Sequence, residues 1–205
     1  MRAPTSRPAF EPPRHGDRRR LRIGILGGSF NPAHEGHRHV AETALRALGL
    51  DQVWLLVSPG NPLKTAAGMA PFAERLASAR AISRPPRILA TGIEASLGER
   101  YSALTLAKLA RRFPKARFVW IIGADNLWQL PRWRRWRELV AGTSMAVLPR
   151  PGWTRKALAG AAAKRLRHAR RRPLALLRDG PPGWTMIPAR EHHASATAIR
   201  ARTGS

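Results

Sequence analysis

The sequence predicts an α/β fold: a single Rossmann-like domain, with a parallel sheet and helices on both of its faces. Two observations carry this expectation. Short runs that are apolar nearly throughout, among them 23–26, 53–57 and 118–122, recur along the chain with longer helical stretches between them. Such strands are buried on both faces, and the intervening helices supply the cover. Of the 205 residues 43% are hydrophobic, ample for one core, and neither repeats nor a second domain can be discerned.

The elements follow in order. Residues 22–27 form the first expected strand. In 37–48, Val40, Ala44, Leu45 and Leu48 share one helix face, and Gly49 is the expected stop. Residues 52–57 make a second strand, closed by the turn residues of 58–62. A helix over 71–81 leads to a third strand near 87–90. A helix over 104–113, ended by Pro114, leads to a fourth strand over 117–122. Residues 145–148 and 184–187 supply a fifth and a sixth. In such sheets ligands bind at the carboxyl ends of the strands. The segments that follow the strands are therefore where chemistry is expected.

The formal charge of +25 invites a nucleic-acid partner, because basic faces attract phosphate backbones. Here the cations are spread over the N-terminal segment, 132–137 and 150–178, without the aromatic-basic module of a nucleic-acid fold. Small phosphorylated substrates suit that charge better than a specific nucleic acid. The absence of cysteine excludes a disulfide framework and thiolate metal sites, and agrees with a reducing, cytoplasmic location. No apolar run is long enough for a membrane helix. Residues 1–20 are basic and broken by Pro4, Pro8, Pro12 and Pro13, and are expected to be a disordered tail.

The turn after the first strand holds Gly27, Gly28, Ser29 and Phe30, then His34 and His37 three residues apart at a helix start. The glycines allow backbone amides close to a ligand, and a helix N-terminus favours an anion. Polyphosphate fits this turn. A metal held by the two histidines is the rival reading, with no obvious third ligand. After the fourth strand come Gly123 and Asp125, whose carboxylate suits ribose hydroxyls, and then Trp133, whose ring suits stacking on a pyridine or packing in the core. Ser195, Thr197 and Arg200 fall within one helical turn, either a further anion site or an ordinary cap with a surface arginine.

The run Gly-Gly-Ser-Phe-Asn-Pro-Ala-His-Glu-Gly-His over 27–37 resembles the signature of the HxGH nucleotidyltransferase superfamily in its nicotinate-nucleotide adenylyltransferase form. The Gly-Ala-Asp-Asn-Leu and Leu-Pro-Arg-Trp segments and the Ser195–Arg200 run are similar to the family's later motifs. The resemblance implies adenylyl transfer from ATP to nicotinate mononucleotide, with Mg²⁺ accompanying ATP and no metal cage built from the protein. It implies that His34 and His37 are catalytic. Gly27, Gly28, Ser29, Phe30, Lys64, Gly123, Asp125, Ser195, Thr197 and Arg200 would bind ATP and its phosphates. Tyr101, Ser102 and Trp133 would bind the mononucleotide. Residues 21–205 would form the nucleotidyltransferase domain, and homo-oligomerisation is left open. Two departures stand out: Asn31 replaces the usual Asp, and Leu63 stands beside Lys64 where a histidine is usual. Phosphopantetheine adenylyltransferases share the HxGH turn, but Leu-Pro-Arg-Trp argues against them. A preference for nicotinamide mononucleotide stays open.

Overall fold

The computed structural model describes residues 11–60, 68–99, 101–189 and 191. The elements are β1 (Arg22–Gly28), α1 (Glu35–Leu48), β2 (Gln52–Val57), α2 (Phe72–Ala81), β3 (Ile88–Thr91), α3 (Ile93–Leu97) and α4 (Ser102–Arg112). They continue with β4 (Arg117–Gly123), α5 (Ala124–Gln129), α6 (Trp136–Gly142), β5 (Ser144–Leu148), α7 (Thr154–Ala159), α8 (Ala161–Arg165), α9 (Leu176–Asp179) and β6 (Trp184–Met186).

Among the described residues six parallel strands pair in the order β3-β2-β1-β4-β5-β6. β1 pairs with β2 from Ile23↔Gln52 to Gly28↔Val57, and with β4 from Arg22↔Arg117 to Leu26↔Ile121. The chain winds outward from β1 to β3, then returns to lay β4 on the other side of β1. The loops leaving β1 and β4 diverge at this reversal and open a crevice.

Alternate strand residues feed two cores. Ile23, Ile25, Trp54, Leu56, Trp120 and Ile122 pack on one side with Leu106, Leu109 and Leu127 of the helices. Val53, Leu55, Val57, Val119 and Ile121 pack on the other with Ala41, Ala44, Leu45 and Leu48 of α1. Helices therefore cover both faces, as the uniformly apolar strands require.

The structure adds to and refines the sequence reading in detail. α1 begins at Glu35 because His34 takes the N-cap, and α4 begins at Ser102 because the Tyr101 carbonyl already accepts from the N–H of Leu104 and Thr105. The short helices α3 and α5 to α9 are four to seven residues long, too short for an apolar stripe to repeat. Trp133 and Trp136 do not share a helix. Trp133 is extended (φ −79, ψ 135), Arg135 is left-handed at φ 59, and Trp136 opens α6, so the chain turns between them. Within residues 11–20, Glu11 pairs with Arg80, and the Arg14 carbonyl accepts from Arg112 at 3.1 Å.

Candidate active site at the β1–β4 crevice

The first turn is built for close approach. A Cβ on Gly27 would collide with the Trp120 ring, so that ring lies directly over the end of β1. Phe30 adopts φ 50, a costly conformation for a bulky residue. Its side chain is 1% exposed in the core and contacts the His37 ring at 4.8 Å between centroids. The Phe30 ring is thus held in the core and is not presented to the crevice. His34 and His37 lie 3.9 Å apart between ring centroids, both half-buried. Burial is the largest cause that lowers the His37 pKa to about 3, followed by the nearby charges of His34 and Arg150.

Asp125 stands in the first turn of α5, immediately beyond β4. Arg150 Nε, in the loop after β5, lies 3.3 Å from Asp125 Oδ1. This is ion-pair distance without hydrogen-bond alignment, and the buried Oδ1 has no hydrogen-bond donor. Such an oxygen is an acceptor awaiting a partner. A Cβ on Gly123 would strike both Asp125 Oδ1 and Arg150 Nε, which explains a glycine at the end of β4. His37, Arg150 and Asp125 thus bring together the loops after β1, β5 and β4.

Further along the same end of the sheet, Tyr101 caps α4 and Ser102 opens it. The Arg134 guanidinium lies 5.3 Å from the Tyr101 ring centroid. This contact joins Tyr101 to the segment that carries Trp133, whose ring is half-buried against the core. Lys64, Ser195, Thr197 and Arg200 lie outside the described residues.

Sequence reasoning missed Arg150, Arg75 and Glu94, and saw in Asn31 only a departure from the motif. Arg75 is 2% exposed and donates to the carbonyls of Ser29, Ser58, Pro59 and Ala70 at 2.7, 2.8, 3.2 and 2.9 Å. It fastens the turn after β1 to the loop after β2. Asn31 Nδ2 donates to Gly68 O at 2.8 Å, while its Oδ1 accepts from Ala70 N at 3.1 Å. Arg150 and Glu94 both follow strands, so the rule about carboxyl ends could have found them. Arg75 is mid-helix and gave no signal. A cavity of about 420 Å³ lies at the opposite end of the sheet, lined by Arg20, Leu21, Arg22, Asp51, Lys115 and Arg117. It is remote from the crevice, at the end of an open sheet where ligands are not expected.

Comparison with known proteins shows the family. Residues 25–202 match the cytidylyltransferase-like family. A protein of Gluconobacter oxydans named probable nicotinate-nucleotide adenylyltransferase is 56% identical over 184 residues, covering 88% of this chain and 94% of its own. One of the same name from Parvibaculum lavamentivorans is 54% identical over 191 residues, covering 90% and 93%. The chain belongs to the nicotinate-nucleotide adenylyltransferase family. The fold of this adenylyltransferase is also that of the Plasmodium falciparum nicotinic acid mononucleotide adenylyltransferase solved with NaAD. The two share a TM-score of 0.65 at 16% identity, over 88% of this chain and 83% of the other. Among the described residues of this adenylyltransferase, no helix is long and apolar enough to cross a membrane.

Proposed function

We infer that the chain transfers the adenylyl group of ATP to nicotinate mononucleotide, giving nicotinate adenine dinucleotide and pyrophosphate in NAD biosynthesis. The observation that carries the reading is the meeting of His37, Arg150 and Asp125 at the sheet's reversal, beside amides at the start of α1. A phosphate oxygen of the mononucleotide attacks the α-phosphorus of ATP, the bond to the oxygen bridging to the β-phosphorus breaks, and pyrophosphate leaves with that oxygen. Such transfer depends on alignment and on charge stabilisation at the phosphates.

In this reading the backbone of Gly27, Gly28, Ser29 and Phe30 receives the nucleotides, and His34 and His37 donate to the phosphates. Arg150 offsets developing negative charge, and Asp125 Oδ1, which has no hydrogen-bond donor, accepts from a ribose hydroxyl. Tyr101, Ser102 and Trp133 receive the mononucleotide. Lys64, Ser195, Thr197 and Arg200 are assigned to ATP phosphates on their sequence motifs alone. Mg²⁺ would enter on ATP and offset phosphate charge. Among the described residues no group of three His, Cys, Asp or Glu could hold a metal ion, so the donors suit a cation carried by phosphates and water. Residues 21–205 are proposed as the catalytic domain of a cytoplasmic enzyme with no specific nucleic-acid partner.

The test is pyrophosphate release by the purified protein with ATP, Mg²⁺ and either mononucleotide. The nicotinate form should give the higher kcat/KM, and equal or reversed values would remove the assignment of substrate.

A further inference from the structure

Arg75 lies in α2, 2% exposed, and its guanidinium is shared among three segments. Nη1 donates to Ser29 O in the turn after β1 at 2.7 Å, and to Ser58 O in the loop after β2 at 2.8 Å. Nη2 donates to Pro59 O of the same loop, and Nε to Ala70 O ahead of α2. Ser58 and Ala70 precede Pro59 and Pro71, so neither carbonyl shares its peptide with an N–H. These segments are poor in donors of their own, and one side chain supplies four.

The planar fork of a guanidinium suits this task, because it spreads its N–H donors over several directions at once. The ammonium of a lysine, a single point, cannot span the same four carbonyls. Among the described residues no carboxylate offsets the charge: burial lowers the Arg75 pKa, and Glu94, which follows β3, accepts from the Thr105 hydroxyl at 3.0 Å instead. Burying a cation against carbonyls alone is costly. A fold that needed only donors could use neutral ones, so fastening does not account for the charge. Its place does: the guanidinium lies against the turn and the loop that the functional reading assigns to phosphates.

We propose that Arg75 is a positioning residue that fixes the spacing between the turn after β1 and the loop after β2, and sets a buried positive charge beneath the phosphates they receive. This rests on the reading of Gly27, Gly28, Ser29 and Phe30 as the nucleotide-receiving turn, and of the loop after β2 as the approach to Lys64. The Ser29–Phe30 and Pro59–Gly60 peptides are trans and planar, so holding their carbonyls also fixes the direction of the Phe30 and Gly60 N–H groups. A charge already in place needs no reorganisation as negative charge builds on the phosphates. Arg75 therefore acts on turnover as well as on binding.

The experiment measures kcat, KM and the Kd of inorganic tripolyphosphate for the wild type, Arg75→Lys, Arg75→Ala and Arg80→Met, each well below its own Tm. Arg75→Lys keeps the charge but loses the fork. Its kcat should fall about a hundredfold, the size of a small misplacement of reacting groups. Tripolyphosphate should bind it about tenfold more weakly. Guanidinium ion should restore turnover and tripolyphosphate affinity to Arg75→Ala, and ammonium should not. Arg80, on the same helix but paired with Glu11, should be silent. In the wild type the ¹⁵N resonance of Arg75 Nε should shift as tripolyphosphate binds, a readout that needs no variant to fold. The proposal is overturned if that resonance stays still, or if Arg75→Lys loses Tm but keeps kcat and Kd. It is equally overturned if ammonium rescues as well as guanidinium, or if Arg80→Met loses as much as Arg75→Lys. A wild type that binds tripolyphosphate through Arg75 in this way, yet releases no pyrophosphate with nicotinate mononucleotide, would defeat the functional reading and uphold the role of Arg75.

Discussion

His34 and His37 cap the first helix reciprocally: Gly36 N–H donates to His34 Nδ1 at 3.1 Å, and His34 N–H donates to His37 Nδ1 at 3.2 Å. A nitrogen that accepts an amide proton holds a lone pair, so the neutral His37 ring carries its proton on Nε2. The cap thereby fixes the His37 tautomer and sets its Nε2–H at a helix end that already favours anions. With its pKa near 3, His37 acts in the unliganded protein as a neutral donor.

The value of that donor should appear as charge builds on the ATP phosphates, so His37→Ala should lower kcat at least about a hundredfold. Binding of a non-hydrolysable ATP analogue, followed by calorimetry, should change only a few-fold. Loss of the reciprocal cap should cost on the order of 1 kcal/mol of stability. His39→Ala is the comparison and should keep its turnover. Near-normal turnover of His37→Ala would remove the catalytic role and leave the cap alone.

The same burial has a signature in acid. A group whose folded pKa lies below its unfolded value gives stability that is present above the unfolded pKa and lost as pH falls. For His37 the window runs from 6.5 down to about 3. Across it the wild type's Tm should fall more steeply than that of His37→Gln, which has nothing to titrate. Parallel curves would show that His37 is far more hydrated than its packing against Phe30 implies.

Much of this was legible in the sequence, for physical reasons. Uniformly apolar strands such as 53–57 can only be buried on both faces, so the sheet and its two helical layers follow. Glycines and histidines at one strand end singled out the turn after β1 as a candidate phosphate site, because glycines admit backbone amides to an anion and a helix start favours it. What stayed hidden was tertiary. Arg150 meets Asp125 and His37 only because β5 lies beside β4, a relation that no local spacing encodes. Arg75 binds carbonyls, and carbonyls leave no mark in a sequence. The separation of Trp133 from Trp136 depends on one left-handed residue, Arg135, for which an arginine gives no warning.

Arg150→Gln tests the unforeseen member of the site. Without the guanidinium, His37 loses one of the charges that hold its pKa down, after burial and His34, so its NMR titration should move upward. ATP KM should rise about tenfold, the size of one lost charge-assisted contact. An unchanged His37 titration together with an unchanged ATP KM would mean that Arg150 merely fills the space beside Gly123.

Trp133 is half-buried at the end of its turn, so Trp133→Ala should act in two ways. Stability should fall through lost packing, and KM for the mononucleotide should rise through lost stacking, worth about 1 kcal/mol beyond the buried area. Trp136→Ala, equally half-buried against the same core, should lose stability without the KM effect. If both variants raise KM for both substrates alike, Trp133 is a packing residue.

Asn31 is where this chain departs from the motif it resembles, and its contacts give the departure a physical meaning. The side-chain amide donates to Gly68 O at 2.8 Å and accepts from Ala70 N at 3.1 Å, gripping the stem of the β2–α2 connection from both sides. An ionised Asp keeps the acceptor but has no donor, and turns an oxygen towards the Gly68 carbonyl. Asn31→Asp should therefore cost about 1 kcal/mol at neutral pH, a Tm loss of about 2–4 °C for a chain of this length. Acid distinguishes this from generic damage. A protonated Asp regains a donor for Gly68 O, so the variant's carboxyl should have a raised folded pKa, and its deficit should shrink as pH falls through that value. Asn31→Ala, which lacks both contacts and any titrating group, should show no such recovery. Thermal melts of the three proteins from neutral pH to about pH 4, near the usual Asp pKa, would decide it. A deficit in Asn31→Asp that stayed constant over that range would show that the donor to Gly68 contributes nothing.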